Sequence, residues 1–146
     1  WVVTHLAVGE SAPFLPGFMQ LTRLHNYGAA WSSLSGRTVL LVVFTAVLLA
    51  AVALLLIKKV VRHWTGITAC TLILSGGIGN IIDRIVHGYV VDMFDLQLFS
   101  YPVFNLADCC VVVGAILGGI YYLFLYEKYD KKKKESDHAH DPSDPS

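Results

Sequence analysis

The chain has 146 residues, is 55% hydrophobic, and has a mean hydropathy of +0.57 and a formal net charge of zero. That length makes one domain. So much apolar surface cannot be hidden inside a soluble domain of this size, so lipid must cover part of it, and the lack of net positive charge argues against a nucleic-acid partner.

Residues 1–37 mix polar and apolar side chains and contain Gly9, Pro13, Pro16 and Gly17. They predict short strands and turns lying at a membrane surface rather than a span. Residues 38–57 form an unbroken uncharged stretch, TVLLVVFTAVLLAAVALLLI, long enough as a helix to cross a hydrocarbon core. Lys58, Lys59, Arg62 and His63 follow. A second uncharged run, residues 64–82, is rich in Gly and Ser, which suits a helix packed closely on others. The third, residues 109–126, leads into Tyr121, Tyr122, Tyr126 and Tyr129, an interfacial aromatic belt. Lys128 and the lysines of 131–134 come next. The tail, residues 131–146, is rich in Asp, Ser and Pro and includes His138 and His140; it predicts a disordered segment rather than a metal chelate. No internal repeat is evident.

The excess of positive charge beside cytoplasmic ends sets the topology. The loop 58–63 and the tail are basic, so both are expected inside. Residues 85–103 carry no Lys or Arg and are expected outside, with residues 1–37. An exported segment that begins at Trp1 without a signal peptide implies a further helix before it. The intact protein would then have four spans and both termini inside. The expectation is a mainly α, integral membrane protein with three transmembrane helices in this chain and a small extracytoplasmic β-rich layer. Residues 1–130 would form the membrane domain and 131–146 the tail.

Cys70, Cys109 and Cys110 lie in apolar runs with no C-x-x-C spacing. They read as small packed side chains, not a redox or metal site. Ionisable groups near membrane segments need a reason, and the informative ones gather near the outer ends of the second and third runs: Asn80, Asp83 and Arg84, then Asp92, then Asn105 and Asp108. Asn80 and Asp83 share one helical face, and Asn105 and Asp108 repeat the spacing. Taken singly, Asn105 with Asp108 is a helix N-cap with its acidic residue, and Asp83 with Arg84 is charge solvated at the interface. Taken together, they place several carboxylates at one depth. Two carboxylates at hydrogen-bonding distance share a proton; one can then deprotonate water while the other donates to a carbonyl. His25 and His87 have no obvious nucleophile beside them.

Three motifs carry a resemblance: NYGAAWS at residues 26–32, GGIGNIIDRIVHGYVVDMFD at 76–95 and FNLADCCVVVGAIL at 104–117. In order and spacing they resemble those of the lipoprotein signal peptidase (signal peptidase II) family, over residues 1–127. The resemblance implies an aspartic endopeptidase of the bacterial inner membrane, working at the outer face, with Asp92 and Asp108 as the catalytic pair. It implies active-site support from Asn26, Gly28, Asn80, Asp83, Arg84 and Asn105, and neither metal nor cofactor. The implied substrate is a diacylglyceryl-modified prolipoprotein cut just before its lipidated cysteine by a monomeric enzyme in contact with membrane lipid, and globomycin-type depsipeptides would inhibit it. The chain departs from the family pattern at Trp31 and Met93, where Phe is usual, and lacks the family's first helix with its acidic and basic residues. A transporter or channel subunit would need acidic groups nearer the bilayer midplane. A non-enzymatic scaffold would leave Asp92 and Asp108 unexplained, and the Gly-x-Gly-Asp motif of another intramembrane protease class does not occur.

Overall fold

The computed structural model describes residues 1–28 and 36–131. Trp31, the central part of the first motif, His138 and His140 lie outside the described residues. Among the described residues, three helices are long and apolar enough to cross a membrane: Thr38–Ile57, Trp64–His87 and Leu106–Asp130. A three-stranded antiparallel sheet lies at one end of them.

The short helix α1 (Val2–His5) leads into the hairpin of β1 (Ser11–Leu15) and β2 (Met19–Asn26), which turns at Gly17 with φ 74°. A positive φ there suits a residue without a Cβ. Helix α2 spans Thr38–Ile57. It is apolar all round, and most of it is exposed, Val39 at 78% and Ile57 at 72%; such a surface is stable only against lipid. Helix α3 spans Trp64–His87, five residues beyond the uncharged run, so Asp83, Arg84 and His87 are helical. Gly88, left-handed at φ 81°, ends it, and β3 (Val90–Leu96) begins two residues later and pairs with β2. The strand order is β1-β2-β3. Helix α4 (Leu106–Ile120) starts three residues before the third uncharged run and passes into a wider π-helical segment, Tyr121–Lys131.

Small residues let the helices meet. A Cβ on Gly76 would collide with the backbone carbonyl of Ala107 on α4, and one on Gly114 would come within 2.9 Å of the Ala69 carbonyl on α3. Leu49 of α2 is buried on Gly77, where an added Cβ would lie 2.6 Å from it. This is association by close van der Waals approach, as lipid requires.

At the end remote from the sheet, Asp130 is buried, 4% exposed. It accepts from the backbone N–H groups of Arg62 (3.0 Å) and His63 (3.1 Å) and from the Tyr121 hydroxyl. The carboxylate thus ties the end of the last helix to the α2–α3 connection, a role no sequence motif marked. Asp130→Ala takes the acceptor from the buried Tyr121 hydroxyl, at a cost of about 1–3 kcal/mol where water cannot reach, and from two partly buried backbone N–H groups that water can satisfy in part. The expected result is a lower thermal midpoint in detergent with unchanged kcat for the folded fraction. An unchanged midpoint would show that the tie contributes nothing.

Candidate active site

Asp92 stands at the centre of β3 and is 1% exposed. Both its oxygens are held. Oδ2 accepts from Asn26 Nδ2 of β2 at 2.8 Å, and Oδ1 accepts from Asn105 Nδ2 at 2.8 Å. Asn105 precedes α4 in extended conformation, and its Oδ1 accepts from the Asp108 backbone N–H at 3.0 Å. Asp108 answers with Oδ2, which accepts from the Asn105 backbone N–H at 3.1 Å. This is a capping box, the local reason the helix begins here. Asn80 of α3 completes the ring: its Nδ2 donates to Asp108 Oδ1 at 2.7 Å, while its Oδ1 accepts from Asn105 Nδ2 at 3.1 Å. Asn105 therefore serves as an N-cap and also bridges two carboxylates from different elements.

Arg84 extends the network to the first motif. Its Nη2 donates to the Gly28 carbonyl at 2.8 Å and its Nη1 to the Asn80 carbonyl at 3.2 Å, while its buried Nε has no partner among the described residues. Gly28 N–H in turn donates to Asn26 Oδ1 at 2.9 Å, so the amide that holds Asp92 also shapes the chain leaving β2. The Asp92 carboxyl is pushed above the ordinary carboxylate range, first by burial and then by the charge of Asp108; the donors Asn26 and Asn105 and the cation of Arg84 oppose this without cancelling it.

Asp92, Asp108, Asn26, Asn80 and Arg84 border a cleft of about 360 Å³. Its other walls are Leu41 and Thr45 of α2, Gly77 of α3, Val111 and Val112 of α4, and residues 101–104. Sequence reasoning missed Leu41, Thr45 and the loop residues. In α2 they are indistinguishable from the lipid-facing residues around them, because the run is apolar on every side. Asp83 is placed elsewhere. Its Oδ2 accepts from Val91 N–H at 3.5 Å and its Oδ1 lies 3.8 Å from His87 Nδ1, so it braces the turn from α3 into β3 and does not line the cleft. Met93 faces away too, against Trp1 and Phe94 under α1.

Fold and site together define a multi-pass membrane protein that holds an amide-linked pair of carboxylates, one buried and one partly so, beside a cleft between its helices. The pattern described as Signal peptidase (SPase) II matches residues 1–124, and the chain belongs to that family. Among its relatives, the lipoprotein signal peptidase of Enterococcus faecalis is 42% identical over 132 residues, 90% of this chain and 81% of the relative. That of Lactococcus lactis subsp. lactis is 38% identical over 134 residues, 92% and 85% of the two chains. Two solved bacterial membrane enzymes share the fold. One, determined in meso at 2.3 Å, has a TM-score of 0.78 and 29% identity, covering 99% of this chain and 82% of its own. The other, at 1.9 Å, has a TM-score of 0.76 and 35% identity, covering 84% and 81%.

Proposed function

We propose that this protein is an aspartic endopeptidase of the bacterial inner membrane that removes the signal peptide from diacylglyceryl-modified prolipoproteins, cutting just before the lipidated cysteine. The observation that carries this reading is the ring of amides joining Asp92 to Asp108 at the cleft. Residues 1–130 act as one monomeric membrane-embedded peptidase domain, with the site at the outer face and residues 131–146 as a cytoplasmic tail. Globomycin-type depsipeptides occupy the same cleft.

Asp108 accepts a proton from water, and the water oxygen adds to the scissile carbonyl carbon. Asp92, whose burial favours the protonated form, gives its proton to the carbonyl oxygen. The tetrahedral diol collapses as Asp108 passes its proton to the leaving amine nitrogen. The C–N bond breaks, and Asp92 recovers a proton from the diol hydroxyl. Arg84, which borders the cleft, presents its guanidinium to a substrate carbonyl, and Asn80 and Asn105 keep both carboxyl groups oriented.

The deciding experiment is cleavage of a purified diacylglyceryl-modified prolipoprotein in detergent, with and without globomycin. Globomycin-sensitive cleavage before the lipidated cysteine supports the reading; no cleavage by folded protein refutes it. The pH profile tests the proton carrier. The Asn26 donor favours the ionised form of Asp92, so Asn26→Ala raises its proton affinity further. The alkaline limb of kcat should then move upward by about one pH unit, the worth of one hydrogen bond to a charged group. A limb that stays in place, or moves downward, would remove Asp92 from that role.

A further inference from the structure

A second cleft, about 390 Å³, lies on the sheet side of the first, between residues 24–26 of β2 and residues 100–103. The two share Asn26, Tyr101, Pro102 and Val103, so they adjoin, and Asn26, which donates to Asp92, lies on the wall common to both. Their walls differ in kind. The first cleft runs along Thr45, Gly77 and Val112, which belong to membrane-spanning helices. The second touches no spanning helix and is bordered by Leu24, His25 and Ser100 in the extramembrane layer. His25 is braced there by stacking on Tyr89, ring centroids 3.8 Å apart, yet its buried Nε2 has no partner among the described residues. Burial, with Arg23 and His87 nearby, lowers the imidazole pKa, so the ring stands neutral at pH 7 and meets a ligand as a neutral hydrogen-bonding group.

A polypeptide cut at the carboxylates must leave them in two directions. Its apolar signal segment belongs with the spanning helices, and its polar continuation suits the adjoining cleft, whose walls belong to no spanning helix. We infer that the cleft between residues 24–26 and 100–103 is the subsite for the mature chain just after the lipidated cysteine, with Leu24, His25 and Ser100 determining preference at its first two positions. This rests on the peptidase reading above.

The test compares lipidated prolipoproteins carrying Lys, Glu or Ser at the residue following the lipidated cysteine, cleaved by the unaltered protein, by Ser100→Asp and by Ser100→Lys. Ser100 is exposed and lies outside the strands, so the fold tolerates either charge. The expected result is that Ser100→Asp raises the Lys-to-Glu ratio of kcat/KM by about fivefold and Ser100→Lys lowers it by about as much, the size of an exposed charge pair. Ratios within twofold of the unaltered protein's, for both variants and with the Ser substrate still cut, would overturn the subsite and leave the peptidase reading standing. No cleavage of any substrate by the unaltered protein would overturn both.

Discussion

Asp92→Asn and Asp108→Asn are each expected to lower kcat for the lipidated prolipoprotein by about a thousandfold or more, within the range that positioned acid–base groups supply. Neither amide can take the proton from water or give one to the carbonyl oxygen. Because both transfers belong to the same addition step, the double variant should be scarcely worse than either single one. Each change also has a cost in the fold. Asp92 receives donors on both oxygens, from Asn26 and Asn105, and Asp108 receives donors from Asn80 and the Asn105 backbone. An amide offers one acceptor oxygen where the carboxylate offers two, so one donor in each variant meets an NH₂ group, a loss of about 1–3 kcal/mol. The helices should still insert, with a modestly lower thermal midpoint. Asn105→Ala removes the bridge but keeps both carboxyl groups, so its loss of activity should be smaller. Turnover by either aspartate variant within tenfold of the unaltered enzyme would end the dyad assignment.

Gly76→Ala should be the most damaging single-methyl addition in the helical layer, whereas Gly79→Ala, one turn away, should be close to neutral. At Gly76 the new Cβ meets the Ala107 backbone carbonyl and lies 2.9 Å from Val111 Cγ2; at Gly79 it meets only Ala107 Cβ, at an ordinary 3.6 Å. A backbone atom cannot rotate aside, so α4 must shift bodily from α3, at a cost of about 1–3 kcal/mol. Ala107 adjoins Asp108, so the shift also strains the 2.7 Å Asn80–Asp108 bond, and activity should fall with stability. Thermal midpoints and kcat measured for the two variants side by side check this. Equal effects at the two glycines would show that the close α3–α4 approach is not what positions Asp108.

Comparison of particular elements shows what could be read early. The three apolar runs were visible because lipid imposes a minimum length and excludes charge. Their ends were not, because α3 continues through Asp83, Arg84 and His87 until Gly88 turns left-handed, and α4 begins at the Asn105 cap rather than at its first long apolar run. The sheet was legible as strands and turns in residues 1–37, but its third strand comes from residues 90–96, where the acidic residues of VVDMFDL fall three apart and leave no period-two pattern.

For the site, the order of motifs pointed to eight residues, and seven of them meet in one hydrogen-bonded network. Asp83 does not, because its carboxylate turns to the Val91 N–H and to His87, at the junction of α3 with β3. The sequence by itself determined that the chain crosses a membrane, that its polar groups collect near the ends of two runs, and which motifs it carries, since these depend on residue type and local spacing alone. Only the tertiary structure decided that Asn105 joins Asp92 to Asp108, that Leu41 and Thr45 wall the cleft, and that Asp130 ties the last helix to residues 62 and 63. Those contacts arise between segments distant in the chain, and uniform apolar runs leave no local mark of which side will face a partner helix and which will face lipid.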